Sequence, residues 1–165
     1  MNDEPNLGLD TAVLYEVIEN GTAEQRLALA GQLAEFLAKE ETASGERNQV
    51  VPVALKLAVD PAANVRRRLA LGLQAVAGLN ADILFSIVSD EDEIALPFLA
   101  GTPALNHWHM LAVLRVGDEA RQITIARRPD LSSEALAHVV KSSCLGANLA
   151  LFENPSVRLS DREYR

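Results

Sequence analysis

Four groups of side chains in this 165-residue sequence carry enough chemistry to be weighed as sites. His107-Trp108-His109 is the first, and the chemistry it suggests is metal binding. Residues two apart on a helix point about 200° away from each other, so both imidazoles meet one ion only on an extended segment. No cysteine or second histidine pair stands close by, and the triplet reads as a surface pair at a helix start. The acidic run Asp90-Glu91-Asp92-Glu93 suggests a divalent cation, but four consecutive residues at a helix start diverge. Those acids, like Asp118-Glu119, are accounted for as negative charge at the positive ends of helices. Cys144 is the one cysteine; it has no flanking histidine and reads as a small packing residue. There is no Gly-rich phosphate loop, no His-Glu-x-x-His and no Gly-x-Ser-x-Gly. The expectation is no catalytic set, no metal, no cofactor and no enzyme activity.

The fourth group suits binding rather than catalysis. Trp108 falls about 160° around its helix from the inward Met110, which predicts partial exposure, and an exposed tryptophan anchors interfaces. Arg127 and Arg128 precede Pro129 at a chain corner, where their guanidinium forks suit carboxylates or phosphates, although a last-turn arginine also bonds helix-end carbonyls. Arg66, Arg67 and Arg68 fan over more than half a helix circumference, so they do not share one ligand. Trp108, Arg127, Arg128 and Arg67 are the candidate partner-binding residues.

Composition constrains what holds these side chains. Leucine and alanine supply 25 residues each and aromatics only seven, a mixture that favours helices packed closely on helices. Hydrophobic residues at 48% against 23% charged exclude wholesale disorder, and the length fits one domain spanning residues 1–165. The formal charge of -8 opposes the counterion-release attraction on which nucleic-acid binding depends. The acidity is N-terminal, with ten acids and four bases up to residue 59 and seven of each from residue 118. The start Met1-Asn2-Asp3-Glu4 has neither the basic nor the apolar run of a secretory signal, and no stretch reaches the ~20 apolar residues of a membrane span. A cytoplasmic protein with no membrane partner is expected.

Along the chain, residues 1–9 read as a frayed lead-in and Asp10 as the cap of a short helix carrying Leu14, Val17 and Ile18. Thr22 and Gln25 form a capping box for a helix with Leu27, Ala30, Leu33, Ala34 and Leu37 on one face. Pro52 is placed in a first turn, so that the next helix begins near Asn48, with a kink as the alternative. Asp60-Pro61 launches a helix with Val65, Leu69, Ala70, Leu73 and Val76 inward, and Asn80 caps one carrying Ile83, Leu84, Ile87 and Val88.

From there the chain repeats. Pro103, Pro129 and Pro155 are 26 residues apart. Leu105, Leu131 and Val157 follow them at one offset, and Leu99, Ile125 and Leu151 precede them at another. Met110 pairs with Leu136, Val113 with Val139, and Leu114 with Val140. A helical face copied at a fixed period is the mark of an α-solenoid, whose units bury their apolar faces only on their neighbours. Ser160-Asp161-Arg162-Glu163 opens a further helix that Arg165 cuts short, which suggests an incomplete last repeat from a longer parent. An uncapped end of that kind also offers a contact between copies, hence a homo-oligomer.

The segment Asp60-Pro61-Ala62-Ala63-Asn64-Val65-Arg66 resembles the Asp-x4-Val-Arg signature of HEAT-type repeats, and the prolines followed by aliphatics resemble the leucine-rich-repeat variant. Residues from about 22 to 165 look like a bacterial HEAT-like family, domain of unknown function 2336. Val65–Ala70, Glu93–Leu99 and Ile125–Ser132 carry that likeness. The resemblance implies an all-α, armadillo-type superhelical stack of short helix pairs and a ladder between stacked helices in which Asp60 and Arg66 take part. It implies no particular activity. The function expected is a non-enzymatic scaffold or adaptor that binds a protein partner through its repeat surface. The alternative, since some HEAT-like proteins grip DNA with a basic face, is nucleic-acid binding through Arg66, Arg67, Arg115, Arg121, Arg127, Arg128 and Arg158.

Overall fold

A computed structural model describes residues 10–39 and 44–157. The lead-in expected at 1–9, Arg158 and the capping box at 160–163, with the incomplete last repeat, lie outside the described residues. Among the described residues there are ten helices and no strand. The chain is all-α, as its leucine and alanine content requires.

The start signals are used much as written. Asp10 accepts a hydrogen bond from the Ala12 amide ahead of α1 (Thr11–Asn20), and the Thr22–Gln25 capping box opens α2 (Ala23–Ala38). Next come α3 (Ser44–Ala58), α4 (Ala63–Leu73) and α5 (Ala81–Val88), the last capped by Asn80. The remaining helices are α6 (Asp92–Gly101), α7 (His107–Val116), α8 (Glu119–Ala126), α9 (Ser133–Lys141) and α10 (Leu145–Glu153). Two starts differ from expectation. The third helix begins at Ser44 rather than near Asn48, with Pro52 inside it. Pro52 and Asn48 are both exposed, so the carbonyl that loses its donor to the proline, four residues back, faces water and the usual cost falls. The fourth helix begins at Ala63 rather than Pro61 because Asp60 accepts from the Ala62 amide and forms a turn first.

The chain divides into two compact units. The first comprises the described residues up to 73 with 79–87, the second residues 74–78 with those from 88 onward. In the first unit α2 packs on α4, and α1 and α4 both pack on α3. Leu29, Ala30, Leu33, Ala34 and Leu37 of α2 are buried, with Val65, Leu69, Ala70 and Leu73 of α4. Leu27, expected on the inner face, is half-buried. Small residues set the spacing here. A Cβ added to Gly72 would collide with the Ala34 Cβ, and one on Gly31 would stand 2.8 Å from the Arg68 guanidinium. In the second unit helices pack on those two before them. The series α6, α8, α10 forms one row, and α7 packs on α9.

The α2–α4 approach yields a reciprocal test. Gly72→Ala is expected to cost about 1–3 kcal/mol by overpacking, and adding Ala34→Gly should restore much of it. Urea denaturation of the two single variants and the double variant measures both steps. Additive losses would contradict the contact.

Candidate functional site

The corners of the fold hold its buried polar groups. In the first unit Arg26, at the start of α2, reaches Asp60, 34 residues later. Its Nε donates to Asp60 Oδ2 at 2.6 Å, Nη2 to Oδ1 at 3.3 Å, and Nη1 to the Gly21 carbonyl at 2.8 Å. Asp60 is buried. Arg66, expected as the arginine of a ladder with Asp60, donates to the Asp60 main-chain carbonyl at 2.7 Å. The carboxylate itself is held by Arg26, which sequence reasoning did not single out. A signal was present, because Arg26 continues the stripe of Ala30, Leu33 and Leu37, and a cation on an apolar stripe needs a buried partner.

In the second unit the prolines mark equivalent corners. The residue before each of them, Thr102, Arg128 and Asn154, is buried and polar. Arg128 Nη2 donates to the Thr102 carbonyl at 2.8 Å, across 26 residues, and Nη1 donates to the Leu99 carbonyl. Asn154 Nδ2 repeats the contact one unit on. It donates to the Arg128 carbonyl at 2.8 Å, again across 26 residues, and to the Ala126 carbonyl at 2.9 Å. Within each corner the local chain is tied as well. Thr102 Oγ1 accepts from the Ala104 amide, Asn154 Oδ1 accepts from the Ser156 amide, and Asp130 receives Arg128 Nε and Nη2. The helix-end carbonyls of one unit are thus satisfied by a side chain of the next.

This ladder alters what the candidate residues offer. Arg128, expected within reach of a partner, is only 4% exposed, and its guanidinium is engaged by Leu99, Thr102 and Asp130. The helix-end role is the one it takes. Arg127 is exposed at the C-terminal end of α8, where a cation suits the helix dipole. Arg67 is half-buried in the first unit. Arg121, one of the arginines considered for DNA, also turns inward. It donates to the carbonyls of Val88 and Asp90 and bridges Asp92 and Asp118 at 2.9 and 2.7 Å.

Trp108 stands where the register placed it. Asn106 and His109 form a capping box that starts α7, and Trp108 in the first turn is 67% exposed, tilted at 43° against the His107 ring with centroids 4.6 Å apart. Ala112 and Val116 continue its row at four-residue steps, and Val116 is 87% exposed. The second half of that row was not legible in the sequence, because Val116 fits an inward apolar pattern as readily. Among the described residues no group of three or more His, Cys, Asp or Glu side chains converges on a metal position. No helix among them is long and apolar enough to cross a membrane.

No family model, curated protein or solved structure matches the chain. The residues of this chain therefore carry the functional argument.

Two stability measurements test the corners. Arg128→Ala leaves two buried carbonyls without donors and is expected to cost about 2–4 kcal/mol, with Arg128→Lys recovering less than half because an ammonium lacks the planar fork. Arg26→Ala leaves the Asp60 carboxylate buried and unpaired, for an expected loss of about 3–5 kcal/mol. Chemical denaturation midpoints within experimental error of the parent would remove the ladder from the account.

Proposed function

We propose that this chain is a non-enzymatic protein-interaction scaffold, an α-solenoid of HEAT-like helix pairs that binds a partner protein through its second unit. The repeat reading is supported by the row α6, α8, α10, by the packing of α7 on α9, and by the corner contacts that recur at 26 residues. The family resemblance at Asp60–Arg66 adds to it. The observation that carries the binding reading is the row of Trp108, Ala112 and Val116 on α7, with both its large side chains exposed. A folded unit whose other large side chains are mostly buried gains nothing in stability from a tryptophan left two-thirds in water, and residues of that type dominate interface energies. Arg115, exposed beside Val116, and Arg127 supply cations on the same unit for an acidic or polar rim. Arg67 belongs to the other unit and is a secondary candidate.

The nucleic-acid reading is the weaker of the two. Arg121 and Arg128 are committed to carbonyls and carboxylates of the chain itself, Arg66 bonds a main-chain carbonyl, and the net charge is -8. What remains is a small basic set on an acidic protein.

Trp108→Ala separates surface from fold. Its expected effect on stability is within about 0.5 kcal/mol, while capture of the cognate protein from native extract should fall about tenfold or more. Equal capture by parent and variant would remove Trp108 from the interface. Tight binding of duplex DNA at low salt would favour the other reading.

A further inference from the structure

The seam on which α10 rests is repeated on α10 itself. Helix α8 receives α10 at Gly146, where an added Cβ would stand 2.6 Å from Glu119 Oε1 and 2.7 Å from Ile123 Cδ1. Ala147 and Ala150 are buried beside it. The two helices therefore meet through small residues, glycine and alanine four apart, that let backbones approach. The 26-residue register that relates Thr102 to Arg128 and Arg128 to Asn154 also relates Glu119 to Leu145, Ile123 to Leu149 and Ala126 to Phe152. The positions that receive a helix on α8 thus recur on α10 as large apolar side chains. They are 82%, 60% and 58% exposed respectively. Leu145 and Leu149 lie one turn apart on the same face.

We infer that this face of α10 is a docking seam for an amphipathic helix of a second polypeptide, one that presents glycine or alanine four residues apart at the crossing, as Gly146 and Ala150 do in α10. The geometry of the α8–α10 contact sets the chemistry of the occupant. A small-residue face comes close enough to cover Leu145 and Leu149 together with their flanks, and the glutamate that edges the seam on α8 is replaced on α10 by leucine, so the occupant needs no polar group there. A second copy contacting ridge to ridge fits less well. Three partly exposed side chains amount to about 300–400 Å² per partner, under half of the roughly 800 Å² that a stable interface takes from each side. The inference rests on the 26-residue register of the second unit and not on Trp108.

The probe is a stapled, fluorescein-labelled helix with the sequence of residues 143–155 in which Leu145, Leu149 and Phe152 are changed to glutamine, leaving Gly146, Ala147 and Ala150 as its apolar face. Fluorescence anisotropy with the full chain should show saturable binding. Leu149→Glu and, independently, Leu145→Glu in the protein should weaken it about tenfold or more, while Trp108→Ala should leave it unchanged. Both leucines are exposed, so the variants are expected to keep the parent circular dichroism and melting midpoint. Replacing Gly146 and Ala150 of the probe with leucine should weaken binding to a similar degree. Absence of binding below about 1 mM, or equal binding to the parent and both glutamate variants, would overturn the inference. A dimer of the parent in sedimentation that Leu149→Glu dissociates would overturn it too, by assigning the ridge to self-association.

Discussion

A helix that ends inside a protein leaves carbonyls without donors, and a buried carbonyl without a donor is costly. The second unit meets that constraint at its corners with one device. The side chain just before each proline turns back to the preceding corner and donates to the carbonyls there, Arg128 toward Leu99 and Thr102, Asn154 toward Ala126 and Arg128. Proline itself fits this position because it supplies no amide that would need a further acceptor. The apolar periodicity of Leu99, Ile125 and Leu151 buries the oily side of each helix. The polar contacts fix which corner lies next to which. The first unit answers the same demand with a charge pair, Arg26 on Asp60, and with Arg66 on the Asp60 carbonyl.

Much of the scaffold was readable because local chemistry decides it. Asp10, Thr22, Asn80 and Asp118 all cap the helices their positions announced, since a side-chain acceptor beside free amides works without tertiary help. The proline interval was readable for the same kind of reason, as turn chemistry recurs with the element it ends. The ladder was not. Thr102, Arg128 and Asn154 differ in size, charge and shape, so a comparison by residue type does not align them, and their shared role exists only once two corners lie together. Arg26 escaped notice because its partner is 34 residues away. The start of α3 moved upstream of Asn48 because exposure excuses a proline that burial would have forbidden.

The candidate surface divides along the same line. Which arginines are engaged internally depends on packing, and three that looked available as a basic face, Arg66, Arg121 and Arg128, bind the chain's own carbonyls or carboxylates. What remains on the outside of the second unit is mainly apolar, the Trp108–Val116 row on α7 and the leucines of α10, with Arg115 and Arg127 near their helix ends. Trp108 was legible because the 26-residue register set it outside the inner stripe. The α10 ridge was not, since Leu145 and Leu149 in a leucine-rich helix carry no sign of which side lacks a neighbour. A surface of this kind suits recognition of a protein helix or apolar side chains more than a phosphate backbone.

The central claim, that side chains of one corner close the carbonyls of the one before, is tested most directly by nitrogen-15 NMR of the Arg128 guanidinium and the Asn154 side-chain amide. The account predicts resolved signals for both groups, with hydrogen exchange slowed on the order of a hundredfold or more relative to a solvent-exposed arginine and asparagine. Guanidinium and amide protons exchanging at solvent rates, in a protein that is otherwise folded, would contradict it.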